Sequence, residues 1–219
     1  PALILKTSGA GCSYMDRRGI LKKIDEIRKS VPSDKVPKIY LLHGEFSDEE
    51  MNDIYNNPKV KAMVSLTKGE GFGRPLLEFS LVNKPILTTG WSGHIDFLKS
   101  EFTTLIGGEI RQVHPSVIVE NIIIPESGWF SPKHDEIGHY LKDVFSNYKE
   151  YKNKANRQGY WSRNNFNYDK MKEKIESILG SYVSEFPVQV PLSLPKLKKV
   201  EVPKLKKLEL PKLNPVENE

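Results

Sequence analysis

Apolar and polar positions alternate between a strand-like and a helical period along most of the chain. Residues 2–5 form a short apolar run, and over residues 16–31 Ile20, Ile24, Ile27 and Val31 recur at helical spacing, which predicts a strand followed by a helix. Residues 39–42 are strand-like again. Ser47 then opens a second helix, with Glu50 three residues on completing a capping box and Met51, Ile54 and Tyr55 forming its inward face. Residues 60–66 predict a strand, a glycine-rich turn follows, and RPLLEFSLVN predicts a short helix starting at Pro75, whose fixed φ suits a first helical position. Residues 85–89 and 93–98 add one more unit of the same kind. This order predicts an α/β class, a Rossmann-like doubly wound parallel sheet with helices on both faces and ligands at the carboxyl ends of its strands.

Beyond Glu101 the pattern is less regular. Residues 103–113 and 117–124 are strand-like, and Gly128, Trp129 and Phe130 read as a loop. A long helical region opens near Ser131 and Pro132, carrying Ile137, Leu141, Val144, Phe145 and Tyr148 at helical spacing. After a polar break at Arg163, Asn164 and Asn165, residues 169–179 predict another helix. From Pro187 the composition changes, with prolines at 187, 195, 203 and 211 and Lys, Leu and Val between them. An eight-residue proline period cannot bury a core and forbids all but a turn or two of helix, so it predicts an extended repeat tail. The domain organisation expected is therefore 1–186 for the α/β domain and 187–219 for the tail, which serves as a solvated linker or as a docking strand or basic tether.

The candidate chemistry lies in KGEGFGRPLLE, residues 68–78, where a strand hands over to a helix. Gly69, Gly71 and Gly73 alternate through the turn, which permits positive φ and close approach of a ligand to the backbone, an arrangement suited to phosphate or sugar oxygens. Two carboxylates bracket it. Glu70 lies in the loop, and Glu78 lies among Leu76, Leu77, Phe79, Leu81 and Val82, where a charge wants a partner. The alternative is that both acids only complement the positive end of the helix dipole.

Glu70 and Glu78, with seven residues between them around GFG and followed by KPILTTGWSGHIDFL, resemble the signature of retaining, nucleotide-sugar-dependent glycosyltransferases of the GT-B fold, in their C-terminal, donor-binding domain. The resemblance runs over residues 2–179 and is strongest over 39–98. It implies a nucleoside diphosphate sugar as donor substrate, no cofactor and no metal. It also implies a saccharide, lipid or protein acceptor, held mainly by an N-terminal Rossmann-like domain missing from this chain. Carried over by position, Glu70 is the catalytic carboxylate facing the donor sugar together with the amides of Gly71, Phe72 and Gly73, and Glu78 grips the ribose hydroxyls. Lys6, after the first strand, and Arg18, beside Gly19, stand where the family supplies positive charge to the diphosphate. Lys6-Thr7 replaces the family's usual Gly-Arg there, and either cation reads equally as a solvated surface charge.

Composition bounds the remaining options. With 219 residues there is room for one sizeable α/β domain, and because the chain opens at Pro1 and enters a strand at once, it is expected to be a fragment. No apolar run reaches about 18 residues and no leader is visible, so no membrane span is expected. The single cysteine, Cys12, excludes an internal disulfide and fits a reducing, cytoplasmic setting. Of the net charge of +5, seven lysines and four glutamates from Pro187 onward contribute +3, leaving the body without the basic surface of a nucleic-acid-binding protein. SGAG, residues 8–11, puts Tyr14 where a dinucleotide fingerprint needs its third glycine. The five histidines lack zinc spacing, and WSGH, residues 91–94, is a turn rather than a nucleophile elbow. The second function class left open is a non-catalytic sugar-binding or scaffold module anchored by the tail.

Overall fold

The computed structural model describes residues 1–9, 11–32 and 36–182; the repeat tail and its expected extended form lie outside the described residues. Its elements in chain order are β1 (Ala2–Lys6), α1 (Tyr14–Ser30), β2 (Lys38–Leu42), α2 (Asp48–Asn56), β3 (Met63–Ser65), α3 (Arg74–Ser80), β4 (Ile86–Thr89), β5 (Thr104–Ile106), β6 (Gly108–Gln112), β7 (Gly128–Pro132), α4 (His134–Ser146), α5 (Tyr148–Asn165) and α6 (Tyr168–Leu179). The chain divides into two compact units, residues 1–175 and 176–219, and of the second only the end of α6 and the turn after it are described. No described helix is long and apolar enough to cross a membrane.

The class is α/β with parallel strand pairing, compatible with a Rossmann-like fold, and among the described residues the strands pair in small separate sheets. β1 pairs with β2, and β3, β4 and β5 form a separate three-stranded parallel sheet with β4 in the middle. Burial explains why the second sheet is the core. All four residues of β4 are buried, and Leu76, Phe79, Ile86, Phe97 and Leu98 make one cluster while Leu87, Ile106 and Val144 make another. By contrast neither α1 nor α2 has a buried residue, and Leu3, Ile4, Ile27 and Tyr40 remain exposed. Strand periodicity marks an element as half-buried without naming its neighbour, so the join between the two sheets was not readable.

Local signals fare better. The Ser47 hydroxyl accepts from Glu50 N–H while the Glu50 carboxylate accepts from Ser47 N–H, which is the expected capping box. The helix after the glycine-rich turn starts at Arg74, with Pro75 in its first turn. Residues 93–98 hold only a short 3-10 turn, Gly93–Asp96. Gly128, Trp129 and Phe130, read as a loop, belong to β7, which pairs antiparallel with β6 in the register Gly108 to Pro132. The long helical region is two helices, and α5 closes the core with a polar seam. Gln158 accepts from Lys99 N–H and the Thr103 hydroxyl and donates to Phe97 O and the Ser162 hydroxyl, which in turn accepts from Ser80.

Candidate functional site

The residue 67–73 turn leaves the carboxyl end of β3, and the loop from Gly90 to Gly93 leaves the carboxyl end of the adjacent β4. Three hydrogen bonds lock the two together through the main chain of Glu70. The Ser92 hydroxyl accepts from Glu70 N–H at 2.9 Å and donates to Glu70 O at 2.6 Å, while Gly93 N–H reaches the same carbonyl at 3.0 Å. Ser92 does this at φ 83 and ψ −169, a region nearly reserved for glycine. Gly93 has no room for a side chain, because a Cβ there would lie 2.0 Å from Gly71 O. Gly73 holds the left-handed conformation, φ 85, that turns the chain into α3, and its carbonyl accepts from both Leu76 and Leu77 N–H.

Below the turn lies His94, wholly buried, with Nε2 at 2.6 Å from Thr89 O and Nδ1 without a hydrogen-bond partner. On the other side the β6–β7 hairpin abuts the turn. Phe130 N–H donates to Lys68 O at 3.2 Å, the Lys68 amine sits 4.2 Å from the centre of the Trp129 ring, and Phe130 stacks parallel to Trp91 at 6.0 Å. Phe72, 46 % exposed, touches Phe97 and Phe166.

Glu70, Gly71, Phe72 and Gly73 therefore share one clamped turn. With its main-chain groups engaged by the clamp, Glu70 keeps a half-buried carboxylate with no side-chain hydrogen bond among the described residues. Glu78 is in a different state. Its carboxylate accepts from Arg74 Nε at 2.5 Å, and Arg74 also pairs with Asp48 at 3.1 Å, at the start of α2. Burial raises the Tyr55 hydroxyl above its ordinary value, and the nearby Glu78 charge adds to the shift.

The expected cations lie in the β1–β2 layer. Lys6 is the last residue of β1, 5.7 Å from the Phe46 ring centre, and Arg18 is exposed on α1. The Arg74–Asp48 ion pair links the start of α3 to the start of α2, and among the described residues no hydrogen bond or ion pair joins Lys6 or Arg18 to Glu70. Sequence reading missed a second feature there. Asp16, on α1, accepts from Gly9 N–H and from His43 Nε2, both at 2.7 Å, which pins the loop after β1 to the loop after β2. The bond from His43, then that from Gly9, holds the Asp16 carboxyl below the usual carboxylate range. His43 is 27 residues from Asp16, a separation that no local motif spans.

Two open depressions, of about 440 and 420 Å³, lie along α4 and α5 and include no residue of the turn. The turn itself is a clamped, shallow surface with aromatic walls. Such a surface can seat a polar ligand against backbone amides and a free carboxylate while packing apolar C–H groups on rings. Comparison with known protein families finds no family model that matches the chain, and comparison with curated proteins finds no significant match.

Proposed function

We propose that the chain is the donor-binding part of a retaining glycosyltransferase, taking a sugar from a nucleoside diphosphate to a saccharide, lipid or protein acceptor. The observation that carries the reading is the glycine-rich turn at the carboxyl end of β3, clamped through the Glu70 main chain so that the Glu70 carboxylate stands free. In this reading the carboxylate and the amides of Gly71, Phe72 and Gly73 hold the sugar hydroxyls. The bond from the anomeric carbon to the diphosphate oxygen breaks with its electron pair on the leaving group, and the acceptor hydroxyl oxygen forms the new bond while its proton passes to the departing diphosphate oxygen. Positive charge for the leaving group comes from Lys6 and Arg18, and Glu78 exchanges Arg74 for the ribose hydroxyls. The acceptor and an N-terminal partner domain complete the site, in a reducing cytoplasmic setting.

The test is calorimetric titration of the folded chain with uridine, guanosine and adenosine diphosphate sugars. Binding of at least one is expected, and silence across the panel refutes the reading. One observation favours a second reading, a non-catalytic sugar-binding or scaffold module: Arg74, itself shared with Asp48, already occupies Glu78 in an ordinary surface ion-pair chain. That module would bind sugar without discriminating among the nucleotides.

A further inference from the structure

We infer that Trp91 is the stacking platform for a pyranose ring at this turn, an inference that rests on the sugar-nucleotide reading above and adds a residue to it. Trp91 is 45 % exposed, yet both of its neighbours are fixed. Gly90 N–H is bonded to Ile106 O at 2.9 Å, and Ser92 is tied to Glu70 at both its N–H and its carbonyl. The exposed part of a tryptophan on a rigid loop gains nothing for the fold, whereas the ring loses little freedom when a ligand covers it.

The Ser92 backbone points the same way. A non-glycine residue held at φ 83 and ψ −169 is strained, and such strain persists only where the surroundings impose it. Here the restraint comes from the Glu70 main chain, so the strained residue sets the Trp91 main chain at a fixed offset from that of Glu70. Buried Phe130 lies parallel to the indole with ring centres 6.0 Å apart, and 45 % of Trp91 remains open to a ligand. Phe130 is bonded in turn to Lys68 O, which ties this wall of the platform to the glycine-rich turn.

A pyranose carries an apolar face of axial C–H groups and a rim of hydroxyls. The exposed indole face suits the first, and the free carboxylate with the turn amides suits the second. A phosphate or a peptide carboxylate would use the amides and leave the indole idle. The ring stacked on Trp91 belongs either to the donor sugar or to a saccharide acceptor, and the chemistry of the platform is the same for both.

The full chain and its Trp91→Ala and Trp91→Phe variants are titrated with matched pairs, uridine diphosphate against its glucose ester and guanosine diphosphate against its mannose ester, and separately with the methyl glycosides. Near-ultraviolet circular dichroism confirms folding of each variant. If the donor sugar uses the platform, the advantage of the sugar ester over the bare nucleotide falls about threefold to tenfold in Trp91→Ala, remains in Trp91→Phe, and bare nucleotide affinity is unchanged. If an acceptor sugar uses it, the methyl glycoside affinity shows that loss instead. The inference is overturned if Trp91→Ala keeps full affinity for every sugar, if bare nucleotide affinity falls by the same factor, which would make Trp91 a base-stacking residue, or if no sugar binds the wild-type chain in either form. Failure of every nucleotide to bind refutes the glycosyltransferase reading alone, and the methyl glycosides then decide the platform.

Discussion

Replacing Gly93 by alanine should damage the fold far more than replacing Gly71, although both glycines stand beside the same Glu70. At Gly93 a Cβ would lie 2.0 Å from Gly71 O, 2.8 Å from Gly71 C and 3.0 Å from Glu70 O. These are main-chain atoms of the locked turn and cannot swing aside as a side chain would. The loops must separate, so the variant carries overpacking of about 1–3 kcal/mol and loses part of the three-bond clamp, at about 1 kcal/mol per bond, for a total near 3 kcal/mol. In a domain of this size that corresponds to a fall in Tm of about 6–12 °C. At Gly71 a Cβ meets nothing within 4 Å, and the φ is not in the left-handed region. Gly71→Ala should therefore stay within about 1 kcal/mol of wild type while weakening sugar-nucleotide binding, because the added methyl occupies the space a ligand would use. Urea unfolding followed by circular dichroism, paired with calorimetric titration, measures both. A neutral Gly93→Ala, or a Gly71→Ala as unstable as Gly93→Ala, would falsify the clamp geometry.

Ser92→Gly should unfold less readily than Ser92→Ala, since both lose the hydroxyl bonds to Glu70 but only glycine relieves the strain at φ 83; a reversed order in chemical denaturation would show that the backbone is not strained. The lowered Asp16 carboxyl contributes stability that is complete above its ordinary value near 4 and is lost as pH falls through the lower folded value. Wild type should accordingly exceed Asp16→Asn in urea midpoint at neutral pH, with the gap closing only below about pH 4, and a gap constant down to pH 2 would sink the idea. On the glycosyltransferase reading, Glu78→Gln should weaken binding of free nucleoside diphosphate roughly tenfold to a hundredfold, while Glu70→Gln leaves it nearly intact and lowers turnover. Equal losses of nucleotide affinity with equal turnover would make both acids generic supports of the turn.

What the sequence shows plainly is what neighbouring residues decide together. The Ser47–Glu50 capping box, the strand-turn-helix at residues 63–80 and the buried run of β4 all depend on side chains a few positions apart. What it hides depends on distant partners or on burial without hydrophobicity. The inward face of α5 is Ala155, Gln158, Gly159 and Ser162, small and polar, so no apolar stripe announces it. Each strand of the β6–β7 hairpin begins on a glycine, Gly108 and Gly128, and the second reads as the start of a loop. In the structure they make space, since a Cβ on Gly108 would lie 2.6 Å from the Phe130 ring and one on Gly128 would lie 2.6 Å from the Ile110 side chain. Trp129 and Phe130 were thereby mistaken for loop residues, although they form a wall of the candidate site.

The two glutamates of the motif look alike in sequence and differ in their surroundings. The Glu70 N–H and carbonyl are both saturated by Ser92 and Gly93, which fixes the backbone while leaving the carboxylate without a hydrogen-bonding side chain among the described residues. A group held in this way is preorganised, because a ligand need not first displace a partner or order a loop. Glu78 instead faces Arg74, itself shared with Asp48, so a ribose hydroxyl must compete with a charged hydrogen bond. Arg74 is largely exposed, which weakens that competition by solvent screening without removing it. The dipole-complement alternative treats both acids as equivalent, whereas the structure sets them apart, Glu78 in an ion pair and Glu70 without a side-chain partner among the described residues.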